Sequence, residues 1–308
     1  MPKAQENVKA GILHPGDQVP SVLLPDRKTL FSRRATRYRS LAAAHDGPSD
    51  LLVFLAALAD AQHLALAQAP DFAPSPAEQI RLCEQHGLPP LGAQAIRPGP
   101  EWRTVLRQIA TAFDSLSLPP ASRIALTRLE EMDDAVLDTW ALALLRGVQQ
   151  PVDPALVPFL AAALQVYWVG MAAALEEDRL HRLETPGLCP VCGSPPIAST
   201  LRLESHLYRS RYLHCSLCAT AWHMVRIQCS HCEATDGIRY QGIDGHFPAV
   251  SAESCEKCKT YIKIMDMEKD PELDPIADDV ISIALDILMG EGGWQRMAIN
   301  PALLTQEE

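Results

Sequence analysis

Apolar positions between Pro48 and Glu184 recur at helical spacing, in runs punctuated by proline and glycine. Ser49–Gln68 is rich in alanine and leucine, interrupted by Asp60, Gln62 and His63. Pro76–His86 predicts a helix with Gly87 past its end. In Glu101–Leu116, the residues Trp102, Val105, Ile109 and Phe113 fall on one helical face. Pro120–Met132 and Asp134–Arg146 follow as shorter Leu/Ala-rich helices. Alternation of β-branched residues is nearly absent, so residues 31–185 are expected to form an all-α domain.

Leu156–Leu175 has the length of a bilayer span and no charge. Pro158 and Gln165 interrupt it, many positions are only alanine, and Glu176, Glu177 and Asp178 follow. It is expected to be the central buried helix rather than a membrane span. Before the helices, residues 1–30 lack clear periodicity and read as an extended arm. Ser32 is placed to cap the first helix, which carries Arg33, Arg34, Arg37 and Arg39. These arginines are expected on a solvated face, paired with acidic neighbours.

The pattern changes at Thr185-Pro186-Gly187, read as a domain boundary. Eight of the nine cysteines follow as four Cys-x-x-Cys pairs: Cys189/Cys192, Cys215/Cys218, Cys229/Cys232 and Cys255/Cys258. The last two pairs repeat the first two at a spacing of 40 residues, which makes tandem units of 186–226 and 227–265. A Cys-x-x-Cys turn sets two thiolates on one side of a tight loop, and two such turns make a tetrahedral S₄ cage for zinc or a single iron. Thr200–Leu207 and Arg211–His214 read as two strands of a hairpin that returns the second pair to the first. Cys189, Cys192, Cys215 and Cys218 are therefore expected around one metal, and Cys229, Cys232, Cys255 and Cys258 around another. An interleaved cross-brace is the rival. Gly193 can take a positive φ after the first turn; Ala219, Glu233 and Lys259 stand at the matching places, so less ideal turns are expected there.

Disulfides are the alternative use of such cysteines. No apolar signal segment is evident at the N-terminus, which argues for reduced thiols. No βαβ context supports a thioredoxin-like dithiol. His214 and His231 each adjoin a cysteine, but four cysteines per site are already in register. Ala219–Gln228 alternates like a strand, with Trp222, Met224 and Arg226 on one face, and a structural place is expected for Trp222. Cys83 stands alone and takes no role.

Residues 266–308 hold eleven acids and two bases. They read as a proline-broken acidic linker, Asp270–Pro275, then a short amphipathic helix, Ile276–Met289, and a loosely held tail after Gly290–Gly293. Asp278 and Asp279 fall in that helix's first turn, where the dipole favours acids. The whole chain of 308 residues carries a net charge of −11, which disfavours broad binding to nucleic acid or anionic membrane. Arg202, Arg209, Arg211 and Arg226 keep a nucleic-acid-binding zinc ribbon open as an alternative, and S₄ iron keeps an electron carrier open. No Ser/His/Asp group, phosphate loop or His/carboxylate site is visible, so no enzyme is expected.

The block Arg211-Tyr212-Leu213-His214-Cys215-Ser216-Leu217-Cys218-Ala219-Thr220-Ala221-Trp222-His223, with Cys189-Pro190-Val191-Cys192-Gly193 before it, resembles the formate dehydrogenase accessory protein family, FdhE. The order of parts matches too: an arginine-rich first helix, a helical half, then tandem Cys₄ units. The resemblance covers nearly the whole chain, and all eight paired cysteines match the family's metal positions. It implies an α plus small-β fold: an all-α N-terminal domain, two tandem rubredoxin-like Cys₄ modules and a short C-terminal helix. It also implies a cytoplasmic, non-catalytic factor that binds the catalytic subunit of respiratory formate dehydrogenase before export. Two metal ions are expected, iron favoured in the cell and zinc possible.

Overall fold

The computed structural model describes residues 19–45, 49–69, 72, 77–113, 120–148, 152–205 and 208–303. Among the described residues, seven α-helices fill the first half: α1 (Leu30–Ala44), α2 (Ser49–Gln68), α3 (Ala77–Gln85), α4 (Glu101–Ala112), α5 (Pro120–Glu130), α6 (Asp134–Arg146) and α7 (Val157–Ala172). In α7 every residue except Pro158 is buried, because α2, α4 and α6 pack around it. Trp102, Val105, Leu106 and Ile109 turn one stripe of α4 onto that core. Phe54, Phe113 and Phe159 close it with edge-on and tilted ring contacts. Among the described residues, α2 is long and apolar enough to cross a bilayer, but half of it is buried between α1 and α7.

Ser32 is not the cap of α1. The helix begins two residues earlier, after Thr29, and the Ser32 hydroxyl donates back to the Thr29 carbonyl. Asp26 organises the entry instead, accepting from the Lys28 N–H and the Thr29 hydroxyl. Residues 1–18 of the expected arm lie outside the described residues. The rest of the arm is partly strand: Val22–Leu23 forms β1.

The second half is one eight-stranded sheet. The first repeat supplies β2 (Pro196–Ser205), β3 (Tyr208–Cys215) and β4 (Ala221–Met224); the second supplies β5 (Ile238–Gln241), β6 (Val250–Cys255) and β7 (Thr260–Asp266). The order is β1-β4-β3-β2-β7-β6-β5, with β8 (Gln295–Arg296) paired to β7. The hairpin between β2 and β3 sets Thr200 opposite Tyr212 and brings Cys215 back beside Pro196. Each repeat pairs antiparallel within itself, and the two join by the parallel pairing of β2 with β7. The fully buried Arg211 of β3 reinforces the joint: it lies 2.7 Å from the Glu253 carboxylate of β6 and donates to the Gln228 carbonyl.

The expected C-terminal helix is two helices, α8 (Ala277–Ile281) and α9 (Ile283–Glu291), broken where Ser282 bends and its hydroxyl donates to the Asp278 carbonyl. The acidic linker is a docking strip for α1. Arg34 reaches Asp274, and Arg37 reaches Asp270 and Asp278. Arg34 and Asp278 are buried, so this part of the arginine face is not solvated. Arg39 does remain exposed, paired with Asp60. The tail is also held as far as Leu303. Arg296 pairs with Asp279 and Asp286, and the buried Asn300 donates to Asp279 and to the Ile276 carbonyl.

Candidate metal centre

Each Cys-x-x-Cys pair forms a knuckle, and in the Cys215/Cys218 and Cys229/Cys232 knuckles the first sulfur accepts from backbone N–H groups. Leu217 and Cys218 N–H donate to Cys215 Sγ at 3.4 Å. His231 and Cys232 N–H donate to Cys229 Sγ at 3.4 and 3.5 Å. The residue after each pair must then turn back. Gly193, Ala219, Glu233 and Lys259 all do so with φ of 74°, 56°, 60° and 58°. The three non-glycine knuckles therefore share the geometry of the first, contrary to expectation. Each bears a left-handed backbone that costs a non-glycine residue about 1–2 kcal/mol.

The sulfurs gather into two groups of four, Cys189/Cys192/Cys215/Cys218 and Cys229/Cys232/Cys255/Cys258, each with all its sulfurs within 4.8 Å of one another. Closest separations are 3.5 and 3.3 Å in the first group and 3.6 Å twice in the second. A tetrahedral ion with metal–sulfur bonds of about 2.3 Å needs sulfurs about 3.8 Å apart. Soft donors at that spacing fit zinc or iron, so both groups could hold a metal ion.

The two groups differ in their surroundings. All four sulfur-bearing residues of the first are buried. Its cysteines belong to the same apolar cluster as α7. Leu91 and Ala93 N–H donate to the Val191 and Cys192 carbonyls at 2.8 and 2.9 Å. Trp168 of α7 holds the Leu91 loop through its indole N–H. Gln165 donates to the Ser216 carbonyl in the other knuckle. In the second group Cys232 is exposed and Cys258 partly so. Its first knuckle abuts the interdomain link: a Cβ on Gly187 would lie 1.7 Å from the Ser230 carbonyl oxygen. Its last knuckle rests on the C-terminal strand, where Lys259 stacks on Trp294 and accepts from the Gln295 N–H.

Burial pushes the Cys189 and Cys218 thiols well up. Burial also opposes ionisation of Cys192, but hydrogen bonding with the other three thiols and Ser194 outweighs it and draws that thiol well down. In the second group, burial pushes Cys229 up to about 12. Burial likewise opposes ionisation of Cys258, yet hydrogen bonds from Thr260 and the neighbouring thiols hold it at about 7. Without metal, each group thus mixes thiols of high and low acidity, and a divalent ion would displace the retained protons.

His214 is buried and lies 2.9 Å from the Thr200 hydroxyl, not in a sulfur group. Burial holds its ring well below the usual histidine range. His231 is exposed and contributes its backbone alone. Trp222 is fully buried on β4, donating to the Pro186 carbonyl. That strand ends at Met224, so Arg226 lies beyond it. Cys83 is a half-buried free thiol. Two of the four arginines considered for phosphate are engaged with acids: Arg209 with Asp266 and Glu268, Arg211 with Glu253. Gln62 and Gln165 are site residues that the sequence reading recorded only as interruptions. Gln62 donates to Gln165 at 2.9 Å, and Gln165 donates to the knuckle. An amide set among apolar residues within each of two helices was the available signal.

A helical bundle gripping one of two four-cysteine groups on a shared sheet defines a two-part cysteine-cage protein. Family profiles described as "FdhE, N-terminal", "FdhE, central domain" and "FdhE, C-terminal domain" match residues 19–185, 188–226 and 227–303. The chain belongs to the FdhE family. A "Protein FdhE homolog" from Proteus mirabilis is 37% identical, over 94% of this chain and 93% of that protein. One from Stutzerimonas stutzeri is 36% identical, over 96% and 98%. The crystal structure of the FdhE protein from Pseudomonas aeruginosa superposes with a TM-score of 0.84 at 37% identity, covering 92% of this chain and 99% of that one.

Proposed function

We propose that this chain is an accessory factor of respiratory formate dehydrogenase that binds the enzyme's catalytic subunit in the cytoplasm, before export, without catalysis of its own. The observation that carries this reading is the family match across residues 19–303, with both four-cysteine groups intact. The working parts are the helical segment 31–185 and the two cysteine units 186–226 and 227–265. Each unit holds one metal ion through its four cysteines. Iron is favoured in the cell, on the likeness of a Cys₄ cage to rubredoxin; zinc fits the same donors.

The test is complementation of an accessory-protein deletion strain, with a pull-down of the catalytic subunit and metal analysis of anaerobically purified protein. Restored formate dehydrogenase activity, a retained subunit and two metal ions per chain are expected. Wild-type protein that neither restores activity nor retains the subunit refutes the accessory reading. Visible charge-transfer absorption supports iron, whereas a colourless protein with two zinc ions excludes it.

A further inference from the structure

The two sulfur groups share a ligand set but not an environment, and the difference bears on what each can do with a metal. A competing ligand must reach a metal-bound sulfur, and one knuckle must open to release it. Local opening becomes cheaper as fewer buried contacts have to break. In the first group Cys189, Cys192, Cys215 and Cys218 are between 0% and 3% exposed. Its knuckle carbonyls at Val191, Cys192 and Ser216 are hydrogen-bonded by the Leu91–Ala93 loop and by Gln165. Opening that group requires breaking into the helical core. In the second group Cys232 stands at the surface beside His231 and Glu233, both also exposed, and Cys258 is partly exposed. Cys229 and Cys255 are buried, and the group's outer supports are the Gly187 contact, the stacking of Lys259 on Trp294 and the narrow β7–β8 pairing of Thr260 with Gln295 and Tyr261 with Arg296.

We infer that the second group is an exchange site that yields its metal to external soft ligands, thiols above all, beginning at Cys232, while the first is a fixed cross-link between sheet and helices. The inference rests on the reading that both groups hold a metal. Exchange at Cys232 returns that cysteine to the free thiol as the incoming thiol gives up its proton, so charge and protons balance without an oxidant. A factor built this way can pass or sense metal at one site while the helical half and the first unit stay folded.

The full-length chain loaded with two equivalents of zinc(II) is mixed with a chromophoric chelator, and release is followed with time. Two phases of equal amplitude are expected, the faster by about tenfold or more. Reduced glutathione should speed the fast phase alone, and Cys232→Ser should remove that phase and leave the slow one. Because Cys232→Ser could disturb its whole unit, native zinc-loaded protein is also treated with iodoacetamide and the labelled cysteines mapped. Among the eight paired cysteines, Cys232 and Cys258 should react first; the free thiol Cys83 is labelled independently of the metal. Release in a single phase, or labelling that starts within Cys189–Cys218, overturns the inference. Binding of fewer than two zinc ions overturns the metal reading itself. Two-phase release by a protein that fails to support formate dehydrogenase supports this inference and counts against the accessory role alone.

Discussion

Gln165 of α7 donates its side-chain N–H to the carbonyl of Ser216, 2.6 Å away, inside a cysteine knuckle. Behind it Gln62 of α2 donates to the Gln165 side-chain oxygen, so a buried amide relay runs from helix to helix to cage. Replacing Gln165 by leucine keeps the volume but strands the Ser216 carbonyl and one of the two Gln62 amide hydrogens, the other staying on the Ala162 carbonyl. A loss of about 1–3 kcal/mol in denaturant unfolding is expected, with weaker metal retention at the first group. Unchanged stability would show that water replaces the relay.

The same coupling alters what loss of one cysteine should do. Small units need metal to fold, yet the first knuckles lie in the core of the helical half. Cys189→Ser is therefore expected to lower the thermal midpoint of the helical signal in circular dichroism. Cys229→Ser should leave that midpoint near wild type. Equal effects of the two changes would mean that both units fold with the helices.

Arg37 donates to Asp278 at 2.9 Å, and Asp278 is buried. Burial raises the Asp278 carboxyl above its ordinary range, with Arg37 pulling the other way. Arg37→Ala removes the counter-charge and is expected to cost about 3–5 kcal/mol. The double change Arg37→Ala/Asp278→Ala should recover part of that loss. A double variant no better than the single one would remove the pair from the account of α1 docking.

Two glycines beside the cages should respond differently to alanine. Gly193 holds φ of 74°, a conformation that three non-glycine residues tolerate at the matching knuckles. Gly193→Ala is expected to cost about 1–2 kcal/mol without loss of metal stoichiometry. Gly187 faces a backbone carbonyl that cannot swing aside. Gly187→Ala should displace the second unit from the interdomain link, seen as a larger loss of stability and faster metal release. The reverse ranking would place the strain at the knuckle.

Tyr240 donates to Glu253 at 2.9 Å. Burial, then the neighbouring Glu253 charge, pushes its hydroxyl up to about 12. A raised folded pKa favours the neutral form, so the contribution is complete below about pH 10. It is lost as pH climbs from there through about 12. Thermal midpoints measured across that window should fall less steeply in Tyr240→Phe than in wild type. Identical slopes would assign the alkaline loss to other groups.

Much of this molecule is written locally. The 40-residue register of the cysteines, the hairpin from β2 to β3 and the stripe Trp102–Val105–Ile109 are periodicities within single segments. They suffice for the helical half, the place of α7 and the division of eight cysteines into two groups. Partners far along the chain leave no such trace. Nothing in the spacing says that β2 will run parallel to β7 and fuse the repeats into one sheet. Nor does it say that Arg34 will meet Asp274, 240 residues away, and turn an acidic linker into a clamp. The left-handed turns at Ala219, Glu233 and Lys259 run against local preference. Ala219 and Lys259 hold because the paired strands on either side, β3 with β4 and β6 with β7, dictate the path between them, and Glu233 is held by its N–H donating back to the Cys229 carbonyl. The glutamines looked like blemishes in apolar helices because hydropathy records a side chain's cost of burial, not the partner that offsets it. Composition, period and spacing belong to the sequence; which buried polar group meets which, and which cage lies open to solvent, is decided only when distant segments pack.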